Sequence, residues 1–226
     1  MTALSAMRDA SVLLIKRKPD VFFSSTGRFE MELTTLLNQV AEDIAEANDW
    51  QSLMKISELA GDGATESFPM PADYSRMMLA SSMADAHSWF LGYTHVTDIN
   101  DWLAFKRGAM VWVPPGVWTL MDNQFQFLPP VSNGTKALLP YISKNIVRAA
   151  DGSLKSEFTA DSDTFVLDER LLTLALIWRW RETNHLDSTG DQLNFEKVLS
   201  EKAGRDKGAR AIRRGGNYDW PFPWRF

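Results

Sequence analysis

The hydrophobic period of the sequence changes twice along the chain. Between Phe29 and Trp50, apolar residues recur every three or four positions, which predicts one amphipathic helix of about five turns. Between Val117 and Phe127, aromatic and aliphatic residues alternate with polar ones, which is typical of paired strands. From Val166 the helical period returns. A chain with this pattern is expected to place an inserted β region between helical ends.

Turn residues and prolines locate the boundaries of shorter segments. The basic run Lys16–Lys18 and Pro19 predict the end of a short helix over residues 3–16. Asp122-Asn123 tolerates the positive φ of a tight hairpin turn. Pro140 places a predicted strand, Leu139–Val147, near a sheet edge, because proline lacks the N–H that a ladder needs. Residues 79–112 fit a short helix and a strand equally well, so that choice stays open.

The most apolar of the predicted helices begins near Val166 and ends near Arg181. Its large apolar residues fall on two stripes, with Leu167, Leu171, Leu174 and Trp178 on one and Leu172, Leu176 and Trp180 on the other. A helix that is apolar on two sides is buried deeply or shared between neighbours, so we expect Trp178 to be buried. The spacing of Thr189 and Gln192 matches a capping box and predicts a last helix.

These patterns predict an α+β fold. Its N- and C-terminal helices form a helical bundle, with an inserted antiparallel β domain and an extended C-terminal tail. The predicted boundaries are 1–50 for the N-terminal helices, 51–157 for the mainly β insertion, 158–204 for the C-terminal helices and 205–226 for the tail. Folding a chain of this length buries roughly 70% of its surface, which is ample for a packed core.

The residue types that usually carry enzymatic or metal chemistry are scarce. Cysteine is absent, which removes disulfides, thiolate nucleophiles and cysteine zinc sites. His87, His95 and His185 are too scattered to suggest a metal site. Asp161 and Asp163 are spaced so that both can reach one divalent cation, but their position just before a helix favours capping. The sequence therefore predicts no catalytic residue, no cofactor and no metal.

Nine tryptophans exceed what a chain of 226 residues needs. Exposed aromatic side chains on a β surface can bind sugars or stack on nucleic acid bases. Residues 1–204 hold 18 basic against 27 acidic residues, which opposes phosphate-rich partners. Packing in the core or at a subunit interface is the favoured role of the internal tryptophans. Two alternatives stay open: a carbohydrate-binding module that uses the aromatic β region, and a small hydrolase whose carboxylate pair the sequence does not single out.

The apolar runs are too short to cross a membrane. The longest, Val12–Ile15 and Leu174–Trp178, fall far below the roughly 20 residues that a spanning helix requires. Met1–Leu14 lacks the basic segment and the cleavage site of a secretory signal. We therefore expect synthesis in a reducing cytoplasm and no membrane partner.

The last 22 residues differ from the rest in charge and in pattern. Residues 205–226 hold six basic against two acidic residues, and their final aromatic residues alternate with proline or charged residues. An extended segment of this kind is suited to fill successive pockets on a partner, although packing on its own subunit is the alternative. The predicted partner-binding residues are Arg213, Arg214, Tyr218, Trp220, Phe222, Trp224, Arg225 and Phe226.

Several stretches, taken in order, carry a resemblance to a known family. They are Asn48–Leu53, Phe68–Arg76, Val117–Pro129, Tyr141–Asn145 and Phe158–Arg181. Together they resemble the head-to-tail connector proteins of tailed bacteriophages, also called adaptor or neck proteins, which include the tail tubular proteins of short-tailed phages. The match covers most of residues 28–200.

The resemblance implies a non-enzymatic structural protein of the virion neck, with roles in tail assembly and viral genome ejection. It implies a homo-oligomeric ring of about twelve copies whose partners are the portal protein and the next tail component, a nozzle or tail tube. The resemblance also implies that genome DNA passes through the channel without specific binding, which suits an acidic body because it repels phosphates. In related connectors a C-terminal extension reaches onto the portal, so residues 205–226 are expected to dock there.

Overall fold

The computed structural model describes residues 2–79, 81–86 and 92–206 of the chain. The helices within these residues are α1 (Ala3–Ile15), α2 (Arg28–Glu46), α3 (Ile99–Lys106), α4 (Glu169–Thr183) and α5 (Thr189–Asp206). The strands are β1 (Met54–Ala60), β2 (Ser67–Pro69), β3 (Tyr74–Met77), β4 (Met83–Asp85), β5 (Gly92–His95), β6 (Val117–Met121), β7 (Gln124–Leu128), β8 (Lys136–Ser143), β9 (Val147–Arg148), β10 (Leu154–Lys155) and β11 (Thr164–Phe165). The protein is therefore α+β, as predicted, while the predicted tail lies almost wholly outside the described residues.

Helix α4 is the centre of the helical part, which we define as α1, α2, α4 and α5. The other three helices each pack against α4, and they share one apolar core with it. The two apolar stripes of α4 are thus explained by neighbours within the same chain. The buried residues of α4 are Leu171, Leu172, Ala175, Leu176 and Ile177.

Trp178 is half-buried rather than fully buried, so this prediction was wrong. The buried sector of α4 is centred between Leu171 and Ala175, and Trp178 lies at its margin. There its ring stacks on Phe195 of α5, with centroids 5.6 Å apart, and the Arg179 guanidinium lies over its face. The two apolar stripes in the sequence of α4 do not indicate which side of the helix faces the centre of the helical part.

The larger sheet of the described residues has the strand order β1-β8-β4-β5-β6-β7-β2, and β3 also pairs with β8. The predicted hairpin is present as β6 and β7, with Trp118 opposite Phe127. Its turn residues Asp122 and Asn123 have φ values of 51° and 55°, as a tight hairpin turn requires. A smaller sheet with the order β10-β9-β11 follows β8 along the chain.

The sheet is mixed and not antiparallel throughout, which corrects the predicted antiparallel β domain. Strands β5 and β6 run parallel, with Thr94 opposite Val117 and His95 opposite Trp118. Parallel neighbours need a crossover connection, and here α3 lies within it. The undecided residues 79–112 thus contain both helix and strand.

Strand β8 is not an edge strand, which corrects the expectation drawn from Pro140. It pairs with β1 on one side and with both β4 and β3 on the other. The pairing with β4 reaches Leu138 and the pairing with β3 begins at Tyr141. Pro140 therefore faces the gap between two short strands, where its missing N–H leaves no ladder bond unmade.

The internal tryptophans that the structure describes serve mainly as core residues. Trp50, Trp102 and Trp118 are buried, and Trp112 is half-buried. Trp118 belongs to the aromatic core of the larger sheet, and Trp102, on α3, packs with Val96 and Val117. These rings therefore do not form an open platform for sugars.

Candidate interaction surfaces

The helical part meets the sheet through an ion pair between the buried Asp49 and the half-buried Arg76. Asp49 lies just beyond α2, and Arg76 lies on β3. The Asp49 carboxylate also accepts a hydrogen bond of 2.7 Å from the backbone N–H of Leu79. Arg76 donates a second hydrogen bond of 3.2 Å to the carbonyl of Asn48. Because a buried carboxylate is costly unless its oxygens are paired, this arrangement holds β3 against the end of α2.

Trp50 completes the end of α2. Its indole N–H donates a hydrogen bond of 2.7 Å to the carbonyl of Ile44, and the side chain is buried. The last carbonyls of a helix lack partners within the helix, so this bond satisfies one of them. The Asn48–Trp50 stretch therefore both ends α2 and sets the direction in which the chain enters the sheet.

Asp73, which directly precedes β3, forms a second polar cluster. It accepts hydrogen bonds of 2.5 Å from Lys55 Nζ, 2.8 Å from the Tyr141 hydroxyl and 2.8 Å from the Ser143 hydroxyl. Burial alone would raise the pKa of Asp73, but these hydrogen bonds outweigh it and lower the pKa to about 2. Burial and the neighbouring carboxylate raise the pKa of Tyr141 to about 12.

The two clusters bring together three of the stretches that resemble phage connectors, namely 48–53, 68–76 and 141–145. In the sequence these stretches are separate pieces, and nothing in their local patterns indicates the contacts between them. The available signal was the presence of charged residues within apolar surroundings, because such charges are usually paired when buried. A carboxylate with a pKa of about 2 is a poor general base, so the Asp73 cluster is suited to joining β1, β8 and the start of β3 rather than to acid–base catalysis.

The predicted helix capping by the Asp161 and Asp163 carboxylates was wrong, because main-chain carbonyls of this segment, and not its carboxylates, meet the start of a helix, and that helix is α1 rather than α4. The carbonyl of Asp163 accepts a hydrogen bond of 2.6 Å from Ala3 N, and the carbonyl of Asp161 accepts one from Leu4 N. The Asp161 carboxylate accepts from Phe22 N at 3.2 Å. Helix α4 is capped instead by Asp168, which accepts from the backbone N–H of the second residue after it.

The described residues contain no group of three or more histidine, cysteine, aspartate or glutamate side chains placed to hold a metal ion. His95 stacks on Trp118 with ring centroids 4.0 Å apart, and burial lowers its pKa. His87 lies outside the described residues, and His185 lies in the connection between α4 and α5.

The last described residue, Asp206 at the end of α5, shows where the C-terminal segment leaves the helical part. The Asp206 carboxylate, at the end of α5, accepts a hydrogen bond of 2.8 Å from the backbone N–H of Gln51. The chain therefore departs beside the junction of α2 with the sheet. The predicted partner-binding residues all lie beyond this point and outside the described residues: Arg213, Arg214, Tyr218, Trp220, Phe222, Trp224, Arg225 and Phe226.

Exposed apolar side chains are concentrated in separate places. One group lies on α3 and the loop after it, and consists of Ile99, Leu103, Met110, Val111 and Val113. A second group is Val12 and Leu13 on α1. A third surface is a groove of about 660 Å³ between α2 and the end of α4, lined in part by Met31, Leu36 and Trp180. Contiguous exposed apolar surface is typical of sites where other proteins bind.

The match to a known family covers nearly the whole chain. The model of the family described as SU10 adaptor protein matches residues 1–220. The chain belongs to the SU10 adaptor protein family. This membership confirms the resemblance to phage head-to-tail adaptors, and it implies a non-enzymatic, structural role in the virion, with portal and tail components as partners. The closer likeness to tail tubular proteins stays a prediction.

Two further findings accompany the family assignment. No curated protein matches the chain. Among the helices of the described residues, none is both long enough and apolar enough to pass through a membrane.

Proposed function

We propose that this adaptor forms a ring of about twelve copies between the portal and the tail, and that the ring extends the channel through which the genome passes. The family match over residues 1–220 carries the proposal. In this arrangement residues 1–50 and 158–204 form a helical bundle, residues 51–157 form the inserted β domain, and residues 205–226 form the extended tail. The next tail component, a nozzle or tail tube, binds the opposite end of the ring.

The surplus of acidic residues supports a channel that does not retain DNA. Residues 1–204 carry 27 acidic against 18 basic side chains. DNA phosphates are repelled by such a surface, so the genome moves through the ring without specific binding. The same surplus distinguishes this role from that of a nucleic-acid-binding module.

The basic and aromatic C-terminal segment is proposed to dock on the portal. Asp206 lies beside Gln51, and a fully extended segment of the 20 residues that follow it would span up to about 65 Å, which is enough to leave its own subunit. Aromatic side chains at alternate positions fill successive pockets on the portal, and Arg213, Arg214 and Arg225 add charge. Each single docking is weak, but repetition around a ring turns weak binding into strong avidity.

A truncation tests the portal-docking role. A chain that ends at Arg214 should keep the circular dichroism spectrum and melting temperature of the full chain but fail to sediment with portal rings. The full-length variant Val111→Ala, which changes an exposed apolar residue of the β insertion, is the matched control and should sediment with the portal as wild type does. Co-sedimentation of the truncated chain, or its unfolding, would show that the segment is part of the subunit body.

The carbohydrate-binding alternative finds no support in the structure. Within the described part of the β region, Trp102 and Trp118 are buried and Trp112 is half-buried. Sugar platforms need aromatic faces that are open to solvent, and these rings instead form the core. No second function is therefore proposed.

A further inference from the structure

A cleft of about 270 Å³ lies between α2 and the chain that follows β8. Its floor is apolar and includes three buried residues, Ala45, Ile142 and Ile146. Its lining also includes three glutamates with exposed side chains, Glu42, Glu46 and Glu157. We call this surface the α2–β8 cleft.

The side chain of Asn38 joins the two walls of the α2–β8 cleft. Its amide nitrogen donates a hydrogen bond of 3.2 Å to the carbonyl of Phe158, and its amide oxygen accepts one of 2.8 Å from the Phe158 N–H. Phe158 is buried and directly follows Glu157. The wall on α2 and the wall at 156–157 therefore keep a fixed spacing, and a cleft that is already formed spends little free energy on reorganisation when it binds a ligand.

The charge of the cleft is negative. In the part of the chain that the structure describes, none of the three glutamates forms an ion pair with another described residue. Arg76 also lines the cleft, but its guanidinium is already paired with Asp49. Lys144 contributes one exposed ammonium. Three carboxylates against one ammonium, above an apolar floor, suit a short basic segment without acidic side chains.

Such a segment begins close to the cleft in the same chain. The carboxylate of Asp206 accepts a hydrogen bond from the backbone N–H of Gln51. Gln51 is five residues beyond Glu46, so their Cα atoms are at most about 18 Å apart. Residues 207–212 follow Asp206 and read Lys-Gly-Ala-Arg-Ala-Ile, with two basic residues and no acidic one. When extended, these six residues span up to about 20 Å, which is enough to reach the cleft.

We propose that residues 207–212 occupy the α2–β8 cleft of their own chain, with Lys207 and Arg210 beside its glutamates. Charge complementarity favours this occupant, and the short connection from Asp206 gives it a high effective concentration at the cleft. The same segment of another copy lacks that advantage. The inference goes beyond the proposed function, because it needs neither the ring nor the portal. It leaves residues 213–226, up to about 45 Å when extended, to reach the portal.

Cysteine cross-linking tests the occupancy directly, because the chain has no cysteine. The full-length double variant Ala209→Cys with Ser156→Cys is treated, without portal, with a short bifunctional maleimide. A flexible reagent is used because a disulfide demands Cβ atoms about 4 Å apart. We expect a cross-link within one chain, identified by peptide mass mapping at the mass of the monomer. A mixture of the two single variants should give no dimer.

The matched control is Ala209→Cys with Ser132→Cys. Ser132 is also an exposed serine, but it precedes β8, whereas the cleft lies where β8 ends. This pair should cross-link about ten-fold more slowly than the pair at the cleft, because a segment held in the cleft has a low effective concentration elsewhere. Equal rates for the two pairs would overturn the proposal. A dimer from the mixed single variants would also overturn it, because the cleft would then hold the segment of another copy.

A charge swap tests the reason for the occupancy. Lys207→Glu with Arg210→Glu should slow the cross-link at the cleft about ten-fold at low salt, because two attractions become two repulsions. Adding Glu42→Lys with Glu46→Lys to the same chain should restore the rate. Circular dichroism checks that each variant is folded, and the milder change Glu42→Gln with Glu46→Gln should also slow the cross-link if the swapped chain does not fold. A rate that does not respond to these changes would overturn the proposal.

Sedimentation of the wild-type chain with portal rings is recorded separately. Co-sedimentation without the cross-link at the cleft overturns the cleft proposal and leaves the portal-docking role intact. The cross-link without co-sedimentation supports the cleft proposal and removes the portal-docking role. If neither is observed, both proposals are wrong.

Discussion

The Asp73 cluster gives the sharpest prediction for stability. The substitution Asp73→Asn removes the charge that Lys55 pairs with and keeps the size of the side chain. The carboxylate has a pKa of about 2 in the folded protein against 3.8 for the free side chain. At about 1.4 kcal/mol for each pKa unit, this difference is a stabilisation of about 2 kcal/mol at pH 7. The Asp73 side chain is 19% exposed, so solvent screening reduces this value only slightly.

The sign of the pH dependence follows from the lowered pKa. A carboxylate whose pKa falls on folding stabilises the protein above its unfolded pKa, and the stabilisation is lost as the pH falls through the folded pKa. For Asp73 the window runs from about pH 4 down to about pH 2, and the contribution near pH 3 is about half of that at pH 7.

Urea unfolding of wild type and Asp73→Asn, followed by tryptophan fluorescence between pH 7 and pH 3, measures this difference. The control is Glu58→Gln, because the pair of Glu58 with Lys136 is about half exposed and should change the free energy of unfolding by less than about 0.5 kcal/mol. Equal stability of Asp73→Asn and wild type at pH 7 would refute the reasoning. So would a difference that grows as the pH falls.

Two further substitutions test the packing. Asp49→Ala should lower the free energy of unfolding by about 3 kcal/mol, because it leaves the Arg76 guanidinium without its buried partner. A loss below about 1 kcal/mol in urea unfolding would show that this ion pair does not hold the helical part to the sheet. Trp178→Ala should cost about 2 kcal/mol, less than the roughly 3 kcal/mol expected for the fully buried Leu172→Ala, because Trp178 lies at the margin of the core. If thermal melts showed a larger loss of stability for Trp178→Ala than for Leu172→Ala, Trp178 would lie at the centre of the helical core.

Elements with a strong local signal were predictable from the sequence. The helical period near Leu33 and Leu37 gave α2, and the alternation around Asp122-Asn123 gave the β6–β7 hairpin. In both cases the residues that decide the structure lie within a few positions of each other. The α+β fold followed from combining these local patterns.

Features that depend on distant pairing could not be predicted in the same way. Asp49 and Arg76 are 27 positions apart, and Asp73 and Tyr141 are 68 apart. The residues around each of these side chains do not indicate which distant residue it contacts. Pro140 was misjudged for the same reason, since its tolerance in a central strand depends on where β3 and β4 end.

The position of Asp206 links the junction to the proposed portal contact. The Asp206–Gln51 hydrogen bond is exposed and contributes little energy, so it marks the exit point rather than clamping it. Gln51 itself begins the turn between α2 and β1, directly after Asp49 and Trp50. The C-terminal segment therefore begins beside the same short stretch that sets the orientation of the sheet relative to the helices. A segment that docks on the portal from this base would fix the direction of the β domain as well as the position of the helices, because both are tied to the same short stretch of chain.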